Sequence, residues 1–243
     1  MATFVVRVWL PDRPGALGAV ASRIGAVRGD VTGIDILERG AGRAIDELVV
    51  ELPDASLRDL MVSEVNQVDG VDVEDVREAP VALLDPRLDA LETACYLVER
   101  DDPHDLLRAL CSHAARDFEA DWAATVDPSA PQPLVSTGQV PPVAWALAFV
   151  KGAQASLGGS GPGARETVTS PSDVAWADMA VASLVVLLGR EGRPFRARER
   201  RQLAALARIA DRRWTELVAG GRAAVQAGAD GAVRAPLALA RDL

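Results

Sequence analysis

Lysine is almost missing from this chain: Lys151 is the single example among 26 basic side chains, and the rest are arginine. Such a bias is expected from GC-rich coding and says little about chemistry. Aromatic residues are scarce as well, at 4% with one tyrosine. None alternates with the arginines, as a base-stacking platform for nucleic acid would require. Cysteine is limited to Cys95 and Cys111, each within a predicted helix where a small apolar side chain suits a core, so reduced thiols are expected. Histidine occurs twice, and Cys111 and His113, two residues apart on a helix, point to nearly opposite faces. His104 and His113 are therefore assigned to surface or boundary positions, and no metal site is expected. The longest apolar run, 180–188, falls well short of the ~20 residues a membrane helix needs. No basic region followed by an apolar segment opens the sequence, so a cytoplasmic protein without a membrane partner is expected.

Catalytic signatures are also lacking. No Gly-x-Ser-x-Gly elbow occurs, and the carboxylates are scattered singly over predicted outer faces. The glycine-rich stretch 158–163 lacks the lysine of a phosphate-cradling loop, and Pro162 removes a donor, which leaves a flexible loop. The expectation is a protein that is not an enzyme, with no catalytic residues and no cofactor.

What is present is a chain of 243 residues, 49% apolar, with a formal charge of −9. That length and apolar content suffice for two domains with real cores. Residues 1–80 hold 8 basic against 15 acidic side chains, so the acidic excess lies mainly in the first third and opposes contact with a phosphate backbone there. Alternating strands give way to helical spacing near Pro80 and Asp85-Pro86. This divides the chain into a first domain, 1–79, a second, 80–218, and an Ala/Gly-rich tail, 219–243, expected to be flexible or a loosely docked helix.

The first domain carries the most informative tract. Phe4, Val6, Val8 and Leu10 alternate with Val5, Arg7 and Trp9 in strand fashion, and the chain then turns through Asp12-Arg13-Pro14-Gly15. Pro14 suits a first helical turn, and Gly15 allows close approach of the backbone. The amides of Gly15, Ala16 and Leu17 at a helix start attract a carboxylate, and Asp12 can hold an ammonium, although Arg13 adds a cation within reach of Asp12. Taken alone, such a tract is also what an ordinary turn and cap looks like. A helix with Leu17, Val20, Ile24 and Val27 on one face follows, then strands 31–37 and 44–52 around a turn at Gly40–Gly42. Ser56 and Asp59 resemble a capping box for a second helix bearing Leu57, Leu60, Met61, Val65 and Val68, and strand 71–76 closes the series. The order is βαββαβ, a ferredoxin-like arrangement.

Asp12-Arg13-Pro14-Gly15-Ala16-Leu17, Gly29-Asp30-Val31 and Asp69-Gly70-Val71 together resemble an ACT domain over about residues 2–78. The resemblance implies a regulatory domain that pairs into a homodimer and binds an amino acid where the first turn meets the neighbouring subunit. By position, the ligand-binding residues would be Asp12, Arg13, Gly15, Ala16 and Leu17, with Gly33 and Asp35 of the second strand. Not every member of the family binds a ligand.

The second domain opens with two helix starts, Asp85-Pro86 and Asp102-Pro103. Leu88, Leu91, Cys95 and Val98 form one apolar stripe, and Leu106, Leu107, Leu110, Cys111, Ala114 and Phe118 the next. Strands are expected at 121–126, 134–136, 167–169, 174–179 and 183–188, the last apolar enough to lie centrally. The helix after Pro141-Pro142 is apolar almost all round and should be largely covered. The run 187–195, followed by Glu199, Leu203, Leu206, Ile209 and Ala210, resembles the last strand and C-terminal helix of a GAF domain. The order of elements fits over 85–218, the residue pattern over about 185–214. Nucleotide-binding members of that family have Asn-Lys where this chain has Gly189-Arg190, which disfavours a cyclic nucleotide. The resemblance implies a GAF-like module with a central antiparallel sheet flanked by helices, serving sensing or dimerisation. Trp145, Phe149 and Trp176 are candidates for a second, apolar pocket, with core packing as their alternative role.

The expected fold class is therefore α+β, and the expected function is ligand-dependent regulation through an amino acid. Two alternatives stand beside it. The arginine-rich run from Arg190 to Arg213 could contact nucleic acid or an acidic protein partner, the first domain included, or it could be the solvated side of the last helix. The chain could also be a structural dimerisation module without a ligand.

Overall fold

The computed structural model describes residues 1–79, 86–130, 132–157 and 173–233. The fold is α+β, with two four-stranded antiparallel sheets among the described residues. The seam at Pro80 and Asp85, the strand expected at 167–169, the glycine-rich loop and the end of the tail lie outside the described residues.

The first sheet comprises β1 (Ala2–Pro11), β2 (Asp30–Gly40), β3 (Arg43–Leu52) and β4 (Asp72–Glu78), in the order β2-β3-β1-β4. Helices α1 (Ala16–Ala26) and α2 (Arg58–Val65) complete the βαββαβ order. Period-two alternation sorts β1 into two faces. Phe4, Val6, Val8 and Leu10 join Val20 and Ile24 of α1 and Met61 and Val65 of α2 in one core. Arg7 and Trp9 face the other way. The second helix starts differently from the expected capping box: Asp54, not Ser56, is the cap, its Oδ1 accepting the Ser56 N–H at 2.8 Å ahead of a short 3-10 turn. Leu60 of α2 is exposed.

The second sheet has the order β6-β5-β8-β7, from β5 (Trp122–Val126), β6 (Pro133–Gly138), β7 (Val174–Met179) and β8 (Leu184–Gly189). The apolar β8 is central, as its sequence implies. One face packs on α4 (Pro103–Asp117) and α6 (Ala197–Val233), with Leu97 of α3 (Pro86–Val98) joining them. The other face packs on Ala146 and Val150 of α5 (Val143–Leu157). Asp102 caps α4, its Oδ1 accepting the Asp105 N–H at 2.9 Å, with Pro103 in the first turn.

Three sequence expectations are corrected here. Helix α5 is not covered all round: Ala144 and Ala148 are exposed and Trp145 is 40% exposed. The stripe Leu88, Leu91, Cys95 and Val98 faces solvent, and Thr93 and Leu97 are buried instead. Cys95 is accordingly exposed, whereas Cys111 is buried. Beneath α3, Thr93 Oγ1 donates to Asp117 Oδ2 at 2.6 Å while Leu97 enters the apolar core beside Leu106 and Leu110.

Candidate functional site

The β1–α1 turn is open. Asp12, Arg13, Pro14 and Gly15 are exposed, while Ala16 is buried and Leu17 partly so. Gly15 caps α1 with φ +87°, a conformation that favours glycine, and a Cβ there would meet nothing within 4 Å. Pro14 precedes the helix rather than opening it. The Ala16 N–H is not available, because it donates to the Arg13 carbonyl at 3.3 Å. The cation beside Asp12 is Arg39, with Nε 3.9 Å from Oδ1, and not Arg13.

Behind this turn lies a residue that the sequence patterns did not single out. Asp46 is on the same sheet face as Ala44 and Leu48, which belong to the α1 core. It is 3% exposed, and its Oδ1 has no hydrogen-bond partner among the described residues. Burial pushes its carboxyl above the ordinary aspartate value; Arg39 opposes this and Asp12 adds to it. The signal for it was an acid at an inward register position in the alternating strand Ala44, Asp46, Leu48.

Gly33 and Asp35 do not join this group. Asp35 is in register with Glu47 and Gly33 with Val49, on the face of the sheet turned away from α1. Asp35 pairs there with Arg198 of α6. A Cβ on Gly33 would press on Val49 Cγ2 at 3.0 Å, so this glycine serves close packing at a bulge in β2.

That far face carries a network of charges buried between the first sheet and the second half of the chain. Arg7, 1% exposed, donates to Glu47 Oε2 at 2.8 Å and to the Pro194 carbonyl at 3.1 Å. Arg77 reaches the same Glu47 oxygen at 3.2 Å and grips Glu119 through two nitrogens. Burial by itself would raise the Glu47 carboxyl, but Arg77 and Arg7 outweigh it and hold the carboxyl below its ordinary value. Arg190 donates to the Phe118 carbonyl at 2.6 Å and to Glu199 at 2.7 Å, and lies over the Phe195 ring at 4.0 Å. Arg196 pairs with Glu74, and its guanidinium lies 5.1 Å from the Trp9 ring, which Arg43 also approaches at 5.2 Å. The arginines at 190, 193, 196 and 198 are thus not a solvated face: they are ion-paired, two of them to acids of the first sheet. A cavity of about 90 Å³ lies among Asp35, Glu47, Arg77, Glu119, Arg190 and Arg198, room for roughly three waters at ~30 Å³ each.

On the outer face of the second sheet the three aromatic candidates do come together. Trp145 and Phe149 stack with centroids 5.6 Å apart, and Phe149 and Trp176 pack on one cluster with Ala146 and Val150. Phe149 and Trp176 cover that cluster, and Trp145, 40% exposed, stacks on Phe149 without joining it. Elsewhere, burial pushes the Cys111 thiol up to about 11, against a contact with Thr125 Oγ1 at 3.2 Å that lowers it. His104 is exposed and His113 half-buried. Among the described residues no group of three His, Cys, Asp or Glu is placed to hold a metal ion, and no helix is long and apolar enough to cross a membrane.

No protein-family model matches the chain, and no curated protein matches it. Among solved structures, an unknown protein from Galdieria sulphuraria is 20% identical, with a TM-score of 0.29, over 32% of this chain and 45% of that one. A formyltetrahydrofolate deformylase from Pseudomonas putida KT2440 is 17% identical, with a TM-score of 0.26, over 39% of this chain and 36% of that one. The chain thus spans less than half the length of either structure.

Proposed function

We propose that this chain is a non-enzymatic regulatory protein that binds an amino acid at the β1–α1 turn and relays its occupancy to the second half. One observation carries the reading: a buried Asp46 oxygen without a hydrogen-bond partner among the described residues, behind an exposed turn that also offers Asp12. A buried carboxylate lacking a hydrogen bond is costly, and a ligand ammonium would satisfy it. The ligand carboxylate would meet the α1 N-terminus, where the helix dipole favours negative charge, together with Arg39 or Arg13. A second copy would close the site along β2, an edge strand whose Ile34 and Ile36 are 47% and 39% exposed.

The relay has a physical route. Asp35 on β2 is ion-paired to Arg198 on α6, so a displacement of β2 bears directly on the last helix. Ligand binding shifts such an equilibrium only by its difference in affinity between the two arrangements. The pairing of Arg190, Arg193, Arg196 and Arg198 with acids of this chain weighs against a nucleic-acid role for the same residues.

A thermal-shift screen against the proteinogenic amino acids tests this. At least one should raise Tm in the wild type, and the shift should vanish in Asp12→Ala and Asp46→Asn while both variants stay folded. A wild type that responds to none of them refutes the proposal.

A further inference from the structure

The joint between the first sheet and the second half carries charge where a domain core carries apolar side chains. Among the described residues each apolar cluster stays on one side of it: the first core ends at Val76, and the other two lie beyond Leu97 or include it. Leu37 and Ile45, on the far face of the first sheet, are 5% and 2% exposed yet join none of these clusters. The contacts that cross the joint include Arg77–Glu119 at 2.6 Å, Arg7–Glu199 at 3.6 Å, Arg196–Glu74 and Arg198–Asp35. A cavity of about 90 Å³ lies within it, so its surfaces are not close-packed as a core is.

Pairing inside each half makes this joint separable. Arg7 and Arg77 have Glu47 on their own side at 2.8 and 3.2 Å. Glu199 and Glu119 have Arg190 and Arg193 on theirs at 2.7 and 3.4 Å. Breaking a buried ion pair is costly because it strands an uncompensated charge, and parting the halves leaves none of these four ions without a counter-charge. Asp35, Glu74, Arg196 and Arg198 exchange each other for water. Glu119 adds a backbone observation. It follows α4 with φ +47°, a conformation that favours glycine, and from there its carboxylate grips Arg77 while its carbonyl accepts from Arg193 at 3.1 Å. Glycine at this position would relieve the backbone and release Arg77.

We propose that the second half is a reversible clasp on the far face of the first sheet, with Glu119 as its catch. The clasp opens as a body while both cores stay folded, and it uncovers Trp9, Leu37 and the row Arg7, Glu47 and Arg77. It needs no ligand and is independent of the amino-acid site.

Thiol labelling of the full chain under native conditions is the test. In a Cys95→Ser background, Leu37→Cys reports on the joint, Val50→Cys on the first core, and the native Cys111 on the core of the second half. Each rate is divided by that of the urea-unfolded chain. The joint thiol should label about a hundredfold faster than either core thiol, as a sub-global opening requires. Ile45→Cys should behave like Leu37→Cys, which separates opening from damage at one position. Glu119→Gly should speed labelling at the joint by about a further tenfold and leave both core rates unchanged. Joint thiols that label as slowly as the cores overturn the proposal, because the halves then part only on global unfolding. So does Glu119→Gly if it leaves the joint rate unchanged or speeds all the thiols alike.

Discussion

Arg77 of β4 holds Glu119, just beyond α4, with Nη2 2.6 Å from Oε1 and Nε 2.8 Å from Oε2. The pair ties the first sheet to the second half, with side chains 16% and 20% exposed. Two parallel charge-assisted bonds of this kind are among the stronger polar contacts available to a protein.

Removing the cation should therefore cost more than a surface pair would. Arg77→Met leaves Glu119 and Glu47 partly buried with one fewer counter-charge, and a loss of about 2–4 kcal/mol is expected. Urea denaturation checks it. A double-mutant cycle with Glu119→Leu should return a coupling above about 1 kcal/mol; additive losses would mean the two residues act separately.

Glu47 sets an acid limit. Its carboxyl lies below the ordinary value when folded, so the stability it contributes is fully present above the usual glutamate range and is lost as pH falls through the folded value. Stability measured from pH 6 downward should decline in the wild type below pH ~4.5 and do so less steeply in Glu47→Gln. The variant is less stable at neutral pH, because the buried Arg7 keeps only Glu199, at 3.6 Å, as a charged partner.

Asp46 acts with the opposite sign. Its folded carboxyl is raised, so its contribution is most favourable below the ordinary aspartate value and is lost as pH rises through the folded one. Asp46→Asn should consequently gain about 1 kcal/mol at pH 7 and nothing near pH 3.5. A stability loss at pH 7 would show that the charge has a partner.

Gly189 touches Trp122 so closely that a Cβ would sit 2.1 Å from the ring. Gly189→Ala must push that ring off its packing and should destabilise by roughly 2–3 kcal/mol. Gly192→Ala provides a contrast, since its Cβ would meet nothing within 4 Å and only its positive φ is strained. It should cost about 1 kcal/mol.

Cys111, buried and with its thiol pushed up to about 11, is a poor nucleophile at pH 8. Native protein treated with iodoacetamide should therefore carry at most one adduct, at Cys95, and two after denaturation. Mass spectrometry of the peptides decides it.

The local pattern was enough for the strand–helix order, the central place of β8, the Asp102-Pro103 cap and the exposed β1–α1 turn. Each of these follows from side-chain periodicity or from a backbone preference acting over a few residues. What periodicity could not give was the partner of each face. The Leu88 to Val98 stripe looks like a core face in sequence, and α3 turns it outward while Thr93 bonds Asp117 and Leu97 enters the core inside. The arginines at 193, 196 and 198 look solvated in sequence, and they are drawn inward because Glu119, Glu74 and Asp35 wait more than seventy residues earlier. Asp46 reads as one more strand acid until the core closes round it. Residue type and spacing determined the elements, whereas tertiary packing decided which charges lost water, since desolvation depends on neighbours brought together from distant parts of the chain.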